Sequence, residues 1–112
     1  MEKITAVLRE ERLPLVLAAL GELGYGGITI SQVRGHGRQR GVKEQWRGTE
    51  FRVDFLPKAK IELVVGESHT DAIITAICDN ARTGAVGDGK IWVSPVSRVV
   101  RVRTSEAGEA AI

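Results

Sequence analysis

Between residues 51 and 65 the chain alternates. Phe51, Val53, Phe55, Pro57, Ala59, Ile61, Leu63 and Val65 hold the odd positions, while Glu50, Arg52, Asp54, Lys58, Lys60 and Glu62 hold even ones. A period of two belongs to an extended strand, whose successive side chains point to opposite faces. Such a ribbon is stable only when its apolar face is covered, so the rest of the chain must supply the cover. Proline donates nothing to a ladder, so the ribbon is expected to be interrupted or on an edge at Pro57. The part after Pro57 is the better core strand.

Two segments have the pattern of covering helices. Leu13, Val16, Leu17, Leu20 and Leu23 recur at helical spacing, with Pro14 in the first turn and Gly24, Gly26 and Gly27 as the stop. Ile73, Ala76, Ile77 and Ala81 mark a second amphipathic helix ending near Gly84, and Ser68 followed by Asp71 resembles a capping box. Short apolar runs at 4–8 and 28–33 read as strands, and a last strand enters at Ile91, Trp92 and Val93 and runs to about Arg103. Residues 35–50 are polar, basic and punctuated by glycine, and read as a long loop. The order is strand, helix, strand, long loop, strand, helix, strand. That is the α+β, split βαβ arrangement, an antiparallel sheet with both helices on one face.

A chain of 112 residues with 43% hydrophobic content suits a single domain, here 1–112, with a core of limited size. Oligomerisation would relieve that limit. Net charge is +2, from 16 basic and 14 acidic residues, weaker than the bias of a dedicated nucleic-acid binder. The cations are nevertheless clustered, with Arg34, Arg38, Arg40, Lys43 and Arg47 in the middle and Arg98, Arg101 and Arg103 near the end. Such patches fit small anions as well as nucleic acid. A single cysteine, Cys78, excludes an intrachain disulfide and reads as a small buried apolar residue. With no apolar signal segment at Met1 and no run of membrane-spanning length, the chain reads as cytoplasmic.

Three segments carry chemistry. The turn Thr83-Gly84-Ala85-Val86-Gly87-Asp88-Gly89-Lys90 combines three glycines and a lysine. Glycine lets backbone N–H groups approach a phosphate, and lysine adds a point charge. The turn departs from a P-loop, because Ile91 stands where Ser or Thr would hold magnesium and because the turn leaves a helix and enters a strand. The alternative is a plain flexible turn, and Asp88 reads as its internal hydrogen-bonding residue. Arg101 and Arg103, two apart on the expected strand, would share a face as a phosphate clamp or form a solvated edge. The basic loop 34–47 offers Gln39 as an amide ligand for a cation and Arg38 and Arg40 for anions, or serves as a protein-docking loop. Lys58 is a carboxylate partner or a solvated strand residue. His36 and His69 have no companions at metal or general-base spacing, and no nucleophile elbow or carboxylate pair appears. The chain therefore does not read as an enzyme.

Several of these motifs, in this order and spacing, resemble the PII nitrogen-regulatory family over essentially the whole length. They are Gly35-His36-Gly37-Arg38-Gln39, Trp46-Arg47-Gly48-Thr49-Glu50-Phe51, Val53-Asp54-Phe55-Leu56-Pro57-Lys58, Thr83-Gly84 through Gly87-Asp88-Gly89-Lys90-Ile91, and Arg101 and Arg103-Thr104. The resemblance implies a homotrimer of ferredoxin-like βαββαβ protomers with nucleotide sites in the clefts between subunits. It makes 37–55 the T-loop, which engages partners, 82–90 the B-loop, and 104–112 a C-terminal tail. It assigns Gly87, Asp88, Gly89 and Lys90 to the phosphates of ATP or ADP, with Arg101 and Arg103 reaching them across the interface. Thr29 and Val64 lie near the adenine, and Gly37 and Arg38 close the site. Gln39 binds Mg2+ together with the ATP phosphates, and Gln39, Lys58 and Arg9 serve 2-oxoglutarate.

The implied partners are an ammonium transporter or nitrogen-metabolism enzymes, with the membrane met only peripherally, through a transporter, and no nucleic acid. Trp46, Arg47 and Phe51 would contact those partners. The family's frequent modification tyrosine is Phe51 here, which has no hydroxyl to modify. Thr49 lies where some relatives carry a phosphorylated serine. The alternatives are an energy-state sensor without a 2-oxoglutarate response, an acyl phosphate hydrolase on the same fold, and an RNA-binding module. The last needs aromatics for base stacking, and aromatic content is 4%.

Overall fold

The computed structural model describes residues 1–36, 43–46, 49–52 and 55–112. In chain order the elements are β1 (Glu2–Arg9), α1 (Leu13–Glu22), β2 (Thr29–Gly35), β3 (Lys43–Trp46), β4 (Thr49–Arg52), β5 (Leu56–Val65), α2 (Thr70–Ala81) and β6 (Gly89–Pro95). Short 3-10 turns precede both helices, at Glu10–Arg12 and Glu67–His69, and a third forms Gly108–Ala111. The main sheet has the order β2-β5-β1-β6, and every pairing in it is antiparallel. With its two helices this is the ferredoxin-like α+β architecture.

The register explains the core. Ile4, Ala6 and Leu8 of β1 face Leu63, Ile61 and Ala59 of β5. Ile4 and Ala6 also face Val93 and Ile91 of β6. Directly opposed residues share a face, so one side of the sheet is a continuous apolar surface. Val16 and Leu20 of α1 and Ile73 and Ile77 of α2 complete the buried cluster. Pro14 sits in the first turn of α1, as its missing N–H permits. Gly24, with a φ of 93°, takes the left-handed conformation that closes that helix.

The other face carries Lys3, Thr5, Val7 and Arg9 of β1 against Val64, Glu62, Lys60 and Lys58 of β5. Glu62 pairs with Lys60 at 3.0 Å and Lys3 at 3.7 Å there. Trp92, opposite Thr5, is 44% exposed on this face. No helix among the described residues is long and apolar enough to cross a membrane.

The structure corrects several expectations. The ribbon read over 51–65 is two strands, β4 ending at Arg52 and β5 starting at Leu56. Pro57 lies inside β5, paired with Arg34 of β2, at a point where β1 no longer runs alongside, since its last pair is Arg9 with Lys58. Pro57 thus needs a partner on one side alone. Phe55, grouped by register with the core, precedes β5 and is 67% exposed, its ring 5.5 Å from that of His36. The loop 35–50 contains strand, because β3 pairs with β4 in antiparallel fashion. β6 stops at Pro95 and does not reach Arg103. Its partner β1 has run out by then, and Val96 N–H bonds to the Met1 carbonyl at 3.0 Å. Ser68 caps nothing: α2 begins at Thr70, whose hydroxyl donates to Glu2 Oε1 at 2.8 Å. Cys78 is half-buried, because it lines a gap of about 380 Å3 between α2 and strands β1 and β6.

Ile61 is fully buried at the centre of the sheet, between Ala6 and Ile30. Ile61→Ala is expected to lower unfolding free energy by about 2–5 kcal/mol. Urea denaturation at fixed protein concentration checks this. A loss close to zero would mean that β5 is not the core strand.

Candidate functional site

The site forms where α2 hands over to β6. Helix α2 ends at Ala81, Arg82 is extended, and β6 starts at Gly89, so residues 83–88 must reverse the chain tightly. Gly84, Gly87 and Gly89 take φ values of 89°, 100° and 107°, which L side chains resist. Gly89 is further constrained by space: a Cβ there would lie 1.8 Å from the Val7 carbonyl oxygen.

Asp88 organises the turn. Its Oδ2 accepts the N–H of Thr83 at 2.7 Å and of Gly84 at 2.9 Å. Its Oδ1 accepts the Thr83 hydroxyl and the Arg9 Nε–H, the latter at 3.0 Å. The Thr83 hydroxyl, followed by the Thr83 N–H and Arg9, holds this carboxyl well below the usual carboxylate range despite partial desolvation. The Thr83 oxygen in turn accepts the Ala85 N–H at 3.2 Å.

Two cations brace the turn from the sheet. Arg9 ends β1, and Lys58, directly opposite, lies near the start of β5. Arg9 Nη2 donates to the Val86 carbonyl at 2.8 Å, and Lys58 Nζ donates to the Gly87 carbonyl at 2.7 Å. Lys58 is 7% exposed. Burial, and after it the neighbouring Arg9 charge, pushes the Lys58 ammonium below its ordinary value, against the opposing pull of Glu11 and Asp88. Lys60 and Lys90 both lie opposite Val7, on the face that carries Arg9 and Lys58. Among the described residues this corner gathers Arg9, Lys58, Lys60 and Lys90, with Asp88 bonded to Arg9 and Glu62 to Lys60, a setting of positive side chains that suits a small anion.

Thr29 and Val64 lie elsewhere. With Gly27, Glu62 and Leu63 they line a cavity of about 560 Å3. Val64 lies six positions along β5 from Lys58, roughly 20 Å of strand. Val99, Ala111 and Ile112 of the tail line the same cavity. Arg101 and Arg103 are not strand neighbours. Residues 102–104 form a turn, closed by Ser105 N–H to the Arg101 carbonyl at 2.8 Å, because β6 has already ended. Arg101 is held by Glu106 at 3.1 Å and by the Ala110 carbonyl at 3.0 Å, while Arg103 is exposed.

Gly37, Arg38, Gln39 and Arg47 lie outside the described residues, and Trp46, Thr49 and Phe51 belong to β3 and β4. No cluster of His, Cys, Asp or Glu suited to a metal occurs among the described residues. The sequence reading did not assign Thr83 or Glu106 to the site. Thr83 could have been found from its place at the head of the glycine-rich turn. The pairing of Arg9 with Asp88, 79 residues away, needs the sheet register.

The family Nitrogen regulatory protein P-II matches residues 1–106. The chain is 46% identical over 112 residues to Nitrogen regulatory protein P-II 2 of Methanothermobacter thermautotrophicus, covering all of this chain and 97% of that one. It is 48% identical to Nitrogen regulatory protein P-II of Pasteurella multocida and to Nitrogen regulatory protein P-II 1 of Escherichia coli K12, each over the full length of both chains.

Two measurements test the turn. A group with a depressed folded-state pKa stabilises above its ordinary value, here 3.8, and that contribution is lost as pH falls below it. The stability gap between wild type and Asp88→Asn should therefore narrow on acidification below that value. A gap that stays constant there would mean that the carboxylate charge does not hold the turn. Gly84→Ala, where a Cβ meets open space, should cost about 1–2 kcal/mol from backbone strain alone. Gly89→Ala should cost clearly more, because β6 must move off β1. Equal melting losses for the two would refute the close approach at Val7.

Proposed function

The chain belongs to the Nitrogen regulatory protein P-II family, and from that membership we propose a homotrimeric, cytoplasmic signal-transduction regulator that binds ATP or ADP, and 2-oxoglutarate with Mg2+, in clefts between subunits. The observation that carries this reading is the cationic corner around the 83–90 turn. Backbone N–H groups at Gly87 and Gly89 meet the nucleotide phosphates, with Lys90 adding a mobile charge. Asp88 keeps the turn in shape. Arg101 and Arg103 approach from the neighbouring subunit, and Gly37 and Arg38 close over the phosphates. The adenine lies against Thr29 and Val64. Within one protomer that cavity and the turn sit at opposite ends of β5, which favours a nucleotide shared between two copies.

The Gln39 amide oxygen and phosphate oxygens make the hard oxygen set that Mg2+ takes. Lys58 meets a carboxylate of 2-oxoglutarate, and Arg9 adds positive charge beside it. Nucleotide and 2-oxoglutarate select among conformations of loop 37–55, and partners bind some of these conformations and not others. The partners are an ammonium transporter at the membrane surface or nitrogen-metabolism enzymes, contacted through Trp46, Arg47 and Phe51, and no nucleic acid is involved. Phe51 cannot be uridylylated or adenylylated, and Thr49 remains a hydroxyl able to take phosphate. ATP is an effector here and not a substrate. A second reading, an adenine-nucleotide sensor without a 2-oxoglutarate response, is favoured by the internal acceptors that already engage Lys58 and Arg9.

Calorimetric titration of ATP with Mg2+, with and without 2-oxoglutarate, on wild type and Gln39→Ala tests both. The proposed reading expects 2-oxoglutarate to bind only when ATP and Mg2+ are present, and Gln39→Ala to abolish that binding. Nucleotide binding with no 2-oxoglutarate response supports the second reading. Sustained ATP hydrolysis would overturn the regulator reading altogether.

A further inference from the structure

We infer, resting on the nucleotide reading above, that Glu106 is a built-in rival of a nucleotide phosphate for Arg101 and so limits the affinity of the proposed site.

The tail is folded around Arg101. After β6 the chain turns at 102–104, and Ser105, with a φ of 61°, reverses it so that Glu106 returns beside Arg101. The two backbones are bonded. The Arg101 N–H donates to the Glu106 carbonyl at 2.8 Å, and the Ser105 N–H donates to the Arg101 carbonyl at 2.8 Å. One step further out Val100 bridges to Ala107, and the Gly108 N–H donates to the Val99 carbonyl at 3.0 Å. This framework delivers the carboxylate to the guanidinium. Arg101 Nη1 donates to Glu106 Oε1 at 3.1 Å, and Nη2 donates to the Ala110 carbonyl at 3.0 Å. Held so close along the chain, Glu106 competes at a high effective concentration. Both side chains still meet water, Arg101 37% and Glu106 46% exposed, and an ion pair in that setting is weak. It occupies the guanidinium and remains exchangeable. A phosphate carries more charge and accepts the arginine fork bidentately, so it can take Arg101, at the cost of the Glu106 pair. The place is the right one. Ala111 and Ile112, which follow the Ala110 acceptor, line the same cavity as Thr29 and Val64. Arg101 and its rival thus stand at the end of the protomer where the adenine is proposed to lie.

A rival and a supporting residue predict opposite signs. Loss of a residue that orients Arg101 for the ligand weakens binding, and loss of a rival strengthens it. Glu106→Gln is nearly isosteric, keeps the backbone bonds and leaves the Ala110 carbonyl to hold the guanidinium. Glu109→Gln removes the same charge from the same tail, where the carboxylate lies over Gly66, 3.3 Å from where a Cβ there would stand. We would measure ADP affinity by calorimetry on the full chain for wild type, Glu106→Gln, Glu109→Gln, Arg101→Gln and the Glu106→Gln/Arg101→Gln double variant. Rivalry predicts about two- to fivefold tighter ADP binding in Glu106→Gln, the scale of one exposed ion pair. It predicts a smaller change in Glu109→Gln, and no gain in the double variant over Arg101→Gln alone. Damage to the fold does not produce a gain of affinity.

Unchanged or weaker ADP binding in Glu106→Gln would overturn the inference, the weaker result making Glu106 a support for Arg101. An equal gain in Glu109→Gln, or a gain that survives without Arg101, would reduce the effect to general charge and overturn it too. If Arg101→Gln binds ADP as wild type does, Arg101 does not meet the ligand, and the rivalry falls while the nucleotide reading stands. If wild type binds no ADP, the nucleotide reading itself fails and the rivalry falls with it.

Discussion

The structure depends on the register in which β1 is held between β5 and β6. That register places Ile4 and Ala6 against apolar partners on both sides and Leu8 against Ala59, and a slip of one residue would turn all of them to the open face. The same register decides the site. It sets Arg9 opposite Lys58, brings both within reach of the 86–88 carbonyls and carboxylate, and seats Gly89 against the Val7 carbonyl. Core and site are thus two faces of one pairing. The hydrophobic demand on one side of β1 fixes where cations stand on the other.

For the proposed phosphate ligand the turn would take a different route from a P-loop. A P-loop aims a helix N-terminus at its ligand and gains from the macrodipole. Here the turn follows the C-terminal end of α2, where the dipole is unfavourable to an anion. Positive charge must come from side chains, and the sheet supplies it with Arg9, Lys58, Lys60 and Lys90 on one face. Burial first, and then the neighbouring Arg9 charge, lowers the affinity of Lys58 for its proton. Asp88 and Glu62 offset part of the positive charge.

Local pattern was the legible part of the sequence. The alternation after Pro57 is the buried face of β5, because a half-covered strand must alternate. The helical spacing of Val16 and Leu20, and of Ile73 and Ile77, matches what the core buries. Glycine and aspartate at 83–90 marked a tight turn held by its own carboxylate, because left-handed backbone and local carboxylate bonds are short-range properties. Where tertiary context decides, the reading failed. Phe55 keeps the register of β5 and lies before the strand begins. β6 has the residues to continue and stops because its partner ends. Ser68 has the spacing of a cap, and Thr70, bonded to Glu2, begins the helix. The tie between Arg9 and Asp88 has no local signature, since it exists only once β1 and β6 are neighbours.

The layout of a single protomer carries a further consequence for the proposed ligand. Its cationic corner and its Thr29–Val64 cavity stand at opposite ends of β5, and Arg101 sits with the tail at the cavity end, tied to Glu106 and the Ala110 carbonyl. A nucleotide that used all three groups within one chain would have to span the strand. One that bridged two copies could find a turn on the first and a cavity and arginine on the second at short range. The tie to Glu106 keeps the Arg101 guanidinium paired within this chain, and the proposed phosphate, with more charge than one carboxylate, would have to compete for it. On the proposed reading a nucleotide site would be complete only where two subunits meet.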